Sequence, residues 1–291
     1  MKKIILPLFM ILIIVGIYVF RIKIVQTVYK YLYKDSLTYK ENEYSNNYEF
    51  KYIKKTNDFT PSNKEELINI LYTIIDSDTE EFVIFCEDEY ATCNKDIDDI
   101  QNDNTTLQAI NTFVHPYNSY QKISIGNTKF NIIILNIYKK YTKDEIDYIE
   151  KEVNRIEKEI ITGDLSTKDK LLKFHDYVIN YTMYVDSDLY TKANDLLKHK
   201  KARCSAYTDL MSIYISKLKL PNYKIISEDH IWNYLYLDEK WSHIDLTWDD
   251  PVLPDNKQIL VHKFFLIDTN TLKEFGIDSH EFNKDVYIEA K

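Results

Sequence analysis

Between Ala202 and Pro251 the hydrophobic period of this chain changes from that of a helix to that of a strand pair. Tyr207, Leu210, Met211, Tyr214 and Leu218 recur at the spacing of one helical face, and Pro221 ends the pattern. Residues 230–237 then alternate, residues 240–246 read as a second strand, and Asp238-Glu239 is the natural turn between them. A two-residue turn pairs Leu237 with Lys240, Tyr236 with Trp241 and Trp232 with Asp245. The period of two then sets His230, Trp232 and Asp245 on one face. His230 and Asp245 become diagonal neighbours, about 7–8 Å apart at the backbone and within side-chain reach. A three-residue turn would put them on opposite faces, so their meeting depends on hairpin register.

Cys204 stands at the start of the helical pattern. Unpaired N–H groups and the positive end of the helix dipole favour an anion there, and the thiolate is the nucleophilic form of cysteine. Arg203 and the lysines at 198, 200 and 201 add positive charge nearby. Taken alone, a cysteine here reads equally as a small buried apolar residue. A thiol, an imidazole and a carboxylate in one face-consistent arrangement point instead to a nucleophile, its base and the base's orienting acid. His243 shares the face of Asp245 and is the rival base, but its i, i+2 placement on the same strand makes the two compete for space. Trp232 and Trp248 flank the strands as candidates for an acyl channel or for aromatic core packing. Asn233 falls on the face opposite His230.

These segments read A-R-C-S-A-Y-T, H-I-W-N and I-D-L-T-W-D-D-P. They resemble the bacterial transglutaminase-like members of the papain-related superfamily, in which a cysteine opens a helix, H-A-W-N follows on a strand, and V-D-x-T-W-x-D-P on the next. The resemblance covers roughly Leu165 to His280, with an upstream F-H-D-Y-V and a downstream F-F-L-I-D, and does not extend to residues 1–140. It implies an α+β fold in which the cysteine-bearing helix packs on an antiparallel sheet. It matches Cys204 to the nucleophile, His230 to the base and Asp245 to the orienting acid. Acyl transfer through a thioester is the implied chemistry. An amine acceptor would crosslink glutamine to lysine; water would make a peptidase or amidase. A binding module that kept the fold and lost turnover is a third possibility, because Ala202 and Ala206 stand where the family usually has glycine. Glu239 likewise replaces a turn glycine, and glutamate tolerates positive φ poorly.

Residues 1–28 read as a single membrane-spanning helix. Lys2 and Lys3 precede an uncharged run from Ile4 to Phe20, and Arg21 and Lys23 close it. Seventeen residues is the short limit for a span, which Ile22 to Val28 extends if the basic side chains snorkel. No small-x-small cleavage site follows, so the flanks fit an uncleaved signal-anchor better than a cleaved signal peptide. This predicts a single-pass protein of the cell membrane with its body outside the cytoplasm. Residues 29–47 read as a juxtamembrane stalk. Residues 48–140 suggest a small α/β domain in the order β-α-β-α-β-β. It has a strand from Tyr48 to Lys54, a Ser62/Glu65 capping box, a buried strand Phe82 to Cys86 and an acidic loop from Glu87 to Asp103. A helix from Asn104 to Val114 and a hairpin around Gly126-Asn127 complete it. Residues 141–291 form the catalytic unit. Its first helix, Thr142 to Thr162, carries an apolar stripe, and the next is capped by Asp164 to Ser166 and holds a structural His175. Residues 252–291 add a short strand, Phe264 to Ile267, and a polar tail without assigned chemistry.

A net charge of −9 argues against a nucleic-acid surface; a protein or peptide is the substrate that the resemblance implies. Cys86 and Cys93 have the option of a disulfide, which would leave Cys204 as the free thiol, although Cys86 also suits a buried strand position. No Cys/His spacing matches a zinc motif, and with only 4 glycines there is no phosphate-cradling loop, so neither a metal nor a cofactor is expected.

Overall fold

Two apolar clusters organise the chain, and neither respects the boundary expected at residue 140. In the computed structural model, which describes residues 2–33, 35–128, 130–251 and 259–291, the first cluster joins Leu67, Ile70 and Ile133 to Tyr223, Trp232, Tyr234 and Tyr287. The second joins Ile149, Val153 and Phe174 to Tyr207, Met211, Leu235 and Ile244. The N-terminal half is therefore fused to the back of the C-terminal sheet instead of forming its own closed core.

The N-terminal helix α1 (Lys2–Leu32) includes a 24-residue stretch, Phe9–Leu32, long and apolar enough to cross a membrane. At about 1.5 Å per residue it measures about 36 Å against a hydrocarbon core of about 30 Å. Its last turns do not lead into a stalk. Val25, Tyr29 and Tyr33 pack on Val83, Phe85 and Ile132, and the Gln26 amide donates to the Phe130 carbonyl. Residues 39–53 then run over the body: Ser45 is buried, and Asn46 N–H donates to Asp76 at 2.6 Å. Tyrosines of the expected stalk anchor this segment, Tyr39 lying against the first core cluster and Tyr44 against the second, and Tyr48 just beyond it also lies against the first.

Helix α2 (Lys64–Ile75) is capped by Asn63, whose side chain accepts from Glu66 N–H, one residue later than the expected box. Ser62 instead bonds the Glu66 carboxylate. The order from here is β1 (Glu81–Phe85), α3 (Cys93–Asp103), α4 (Thr105–Phe113), β2 (Tyr120–Thr128) and β3 (Ile132–Lys139). Its sheet is antiparallel with order β1-β3-β2. Three expectations fail here for local reasons. Residues 48–54 form no strand: Phe50 N–H bonds Ile53 C=O in a turn, and Lys54 N–H is taken by the Asn69 side chain. The acidic loop contains α3, which turns Cys93, Ile97 and Ile100 inward at helical spacing and its acids outward. The ladder runs on to Thr128 opposite Ile132, with Asn131 at φ 58°, and Gly126 and Asn127 stay in register opposite Ile134 and Ile133.

The C-terminal half opens with α5 (Lys143–Ile160), started by a Thr142/Glu145 capping box, and α6 (Thr167–Tyr181), capped by Ser166. Short strands β4 (Met183–Tyr184) and β5 (Lys201–Ala202) pair in parallel around α7 (Ala193–His199). Helix α8 (Cys204–Lys217) leads into the four-stranded sheet β6 (Asn222–Ile226), β7 (Ile231–Leu237), β8 (Lys240–Ile244) and β9 (Phe265–Ile267), in that order and antiparallel. Helix α9 (Thr269–Glu274) follows. The β7–β8 register is the one the two-residue turn demands, Leu237 opposite Lys240 and Tyr236 opposite Trp241.

Asp238 and Glu239 sit at φ 49° and 65°, the pair of positive angles of a type I′ turn. A glutamate pays a left-handed penalty there that glycine does not. Glu239→Gly should therefore raise stability by about 0.5–1 kcal/mol after the extra chain entropy of glycine is counted. Urea unfolding should show a higher midpoint with an unchanged slope.

Candidate active site

Strand β5 delivers Cys204 to its place. Ala202 C=O accepts from Val185 N–H, Arg203 N–H donates to Tyr190 C=O, and Cys204 is the first residue of α8. The first bonds inside the helix run from Ala206 and Tyr207 N–H back to Arg203 C=O. The N–H groups of Cys204 and Ser205 precede them and have no helical acceptor. Cys86 and Cys93 are joined in a disulfide, and Cys204 is a free, buried thiol. The basic residues around it do not aim at the sulfur. Arg203 is paired with Asp186 and Asp188, and the ammonium groups of Lys198, Lys200 and Lys201 lie over Tyr148, Tyr181 and Tyr190. The groups left beside the sulfur are thus the helix end and the His230 imidazole.

Helix α8 is buried on nearly every side, not on one stripe as the sequence pattern suggested. Its polar face meets partners. Thr208 hydroxyl donates to Cys204 C=O and Ile231 C=O, Ser212 to Asn222, and Asn233 donates to Thr208 C=O. Asp209 takes the Lys140 ammonium at 2.6 Å, Lys224 at 3.1 Å and the Tyr141 hydroxyl at 2.8 Å. Burial would raise its pKa, but the two lysines hold it well below the usual carboxylate range.

His230 lies in the turn that enters β7, its N–H bonded to the Ser227 hydroxyl. Its Nε2 is 2.6 Å from Asp245 Oδ2, and the Cys204 side chain lies near enough to act on the charge of the ring. With Nε2 taken by Asp245, Nδ1 is the nitrogen left for sulfur. Burial works against a charge on this ring, but the Asp245 carboxylate and then Cys204 overcome it and push its pKa up to about 10. Asp245 goes the other way: burial opposes its charge, and His230 and His280 hold it well below the ordinary range. Its second oxygen accepts from Thr247 and Trp248 N–H.

Cys204, His230 and Asp245 are therefore together. Trp232 is not a channel residue: it is fully buried and nearly parallel to the His230 ring at 5.6 Å, and its indole N–H donates to His243. Trp248 does line an opening, a cavity of about 400 Å³ that also includes Tyr184, Asp229, His230 and Asp250. The rival His243 faces Trp232 and Thr269, and burial pushes it down to about 3, so it is neutral and turned away. His280 was missed. It is buried, and its Nε2 sits 2.9 Å from the same Asp245 oxygen that His230 uses. No sequence signal carries it, because it comes from the tail, 35 residues beyond its partner.

No family model matches the chain, and no curated protein matches it. Among solved structures it is similar to a TGase (20% identity, 50% of this chain and 48% of that one, TM-score 0.33). It is also similar to a "Putative Cysteine Protease" from Cytophaga hutchinsonii (12% identity, 48% of this chain and 65% of that one, TM-score 0.30). The chain spans about half the length of the first and under two thirds of the second.

Two outcomes follow from the buried charges. Asp209→Asn leaves Lys140 and Lys224 without a counter-charge and should cost about 3–5 kcal/mol, measured by urea unfolding. The pair of His230 and Asp245 sets a pH window. The folded state holds the His230 proton up to about 10, while the unfolded chain releases it near 6.5. Its contribution is complete below about 6.5 and disappears as pH rises through about 10. Wild-type stability should fall across that range, and His230→Gln should flatten the slope.

Proposed function

We propose that this chain is a membrane-anchored cysteine acyltransferase acting on amide groups of proteins or peptides. The observation that carries the reading is the His230 ring held by the Asp245 carboxylate, with the Cys204 side chain beside it at the start of α8. A carboxylate on one nitrogen fixes the tautomer and favours the imidazolium, so the thiol proton moves to His230 and leaves a thiolate. The thiolate attacks the amide carbonyl, and the oxyanion meets the Cys204 N–H at the tip of α8. As the C–N bond breaks, His230 protonates the departing amine or ammonia, and the acyl group remains on sulfur as a thioester. An incoming amine or water gives its proton to His230, attacks the thioester and releases the thiol.

The wall of the opening favours an amine over water. Asp229 is exposed there, and the half-exposed Trp248 indole offers a face to a cation. Hydrolysis by the same three residues is the second reading, since His230 itself lines the cavity. In this proposal α1 crosses the membrane with its N-terminus inside, and the substrate is an envelope protein or peptide on the far side. Residues 48–140 serve as the support between membrane and site.

Iodoacetamide should alkylate Cys204 well below the pH of about 8.5 that an ordinary thiol needs, and His230→Ala should remove that advantage. A rate that follows an ordinary thiol overturns the mechanism. Incubation of a glutamine peptide with a labelled amine, read by mass spectrometry, should give the adduct. A +1 Da product or backbone cleavage would assign hydrolysis instead.

A further inference from the structure

We infer that His175, Asp176 and His262 form a binding site for a divalent first-row transition metal, zinc among them. Asp176 and His175 are consecutive on α6, and His262 comes from the segment entering β9. One carboxylate oxygen, Asp176 Oδ1, is 2.9 Å from His175 Nδ1 and 2.7 Å from His262 Nε2. Each residue offers one donor atom, and the three lie within 4.8 Å of one another. Zinc bonds to imidazole nitrogen and carboxylate oxygen are about 2.0–2.2 Å, so a small opening of these three seats an ion in place of the protons that bridge them. No local pattern points to this meeting, because His262 is 86 residues from Asp176. His175, read from the sequence as structural, is bonded to its own successor in the chain.

Three further features separate the cluster from a chance meeting of polar groups. The outer nitrogen of His175, Nε2, is held by the fully buried Asp249 carboxylate at 3.1 Å. A carboxylate behind a histidine orients the ring and raises its basicity toward a metal. The cluster is also graded in depth: His175 is fully buried, the Asp176 side chain is 31% exposed and that of His262 is 45% exposed. An ion has a way in, since the Asp176 and His262 side chains are both partly open to solvent. Finally, two imidazoles and one carboxylate select zinc or its neighbours over calcium and magnesium, which prefer all-oxygen sets.

The site has a structural consequence. Asp249 Oδ1 accepts from Phe264 N–H, and Asp249 N–H donates to Asp245 C=O. A metal bound at His175 thus braces, through Asp249, the turn that carries Asp245 and Trp248. The second histidine–carboxylate cluster, His230, Asp245 and His280, is buried throughout and belongs to the candidate active site. It serves as the internal control.

The test uses the full-length chain in detergent micelles with Cys204→Ser, which removes the one free thiol. After equilibration with zinc chloride and dialysis, elemental analysis should find one zinc per chain. Competition with a chromophoric chelator should show His262→Ala and Asp176→Asn each weakening the affinity at least 10-fold, with His280→Ala leaving it unchanged. His262 is exposed enough that its loss should leave the fold intact, which circular dichroism checks. Calcium or magnesium in excess should not displace the zinc. Failure to retain zinc, an unchanged affinity in His262→Ala, or a loss confined to His280→Ala would each overturn the assignment.

Discussion

Asp209 is the point on which the arrangement turns. It lies on the helix that Cys204 begins, is buried, and is met by Lys140 from the end of the N-terminal sheet and by Lys224 from β6. A carboxylate in that position is tolerable only because two ammonium groups and a phenol satisfy it. The same bonds fix the rotation and depth of α8 against the sheet that presents His230. They also tie the N-terminal half to the C-terminal half.

Around Asp245 the chemistry is equally constrained. Two imidazoles share one of its oxygens, and two backbone N–H groups take the other. A carboxylate so fully engaged stays ionised and cannot turn away. The Trp232 ring beneath His230, itself pinned by His243, holds the imidazole plane. His243 is thereby a supporting group, and the choice between the two histidines is made by desolvation: the buried ring without a carboxylate stays neutral, and the one beside Asp245 is charged.

Much of this was written in local pattern. The stripe from Tyr207 to Leu218, the Pro221 stop and the Asp238-Glu239 turn are short-range signals, and the β7–β8 register follows from them by counting. The same counting put His230 and Asp245 on one face. Local pattern misled where tertiary partners decided. Tyr39 and Tyr44 looked like linker composition because their partners are distant in sequence. The helix from Cys93 to Asp103 was obscured by its acids, although Ile97 and Ile100 already carried its inner face. The bend of the first hairpin moved away from Gly126-Asn127 because β1 pairs with β3 and extends the ladder.

The sequence by itself determined the helix that Cys204 opens, the hairpin that brings His230 to Asp245, and an N-terminal helix apolar enough to cross a membrane. These are periodicities of two and 3.6 and a run of uncharged residues, each readable within about twenty positions. Only the tertiary structure decided that His280 joins Asp245, that Trp232 is a buried platform, and that His262 meets Asp176. Those pairs are dozens of residues apart, and nothing local fixes them; they exist because burying a polar group obliges the fold to find it a partner wherever the chain can supply one.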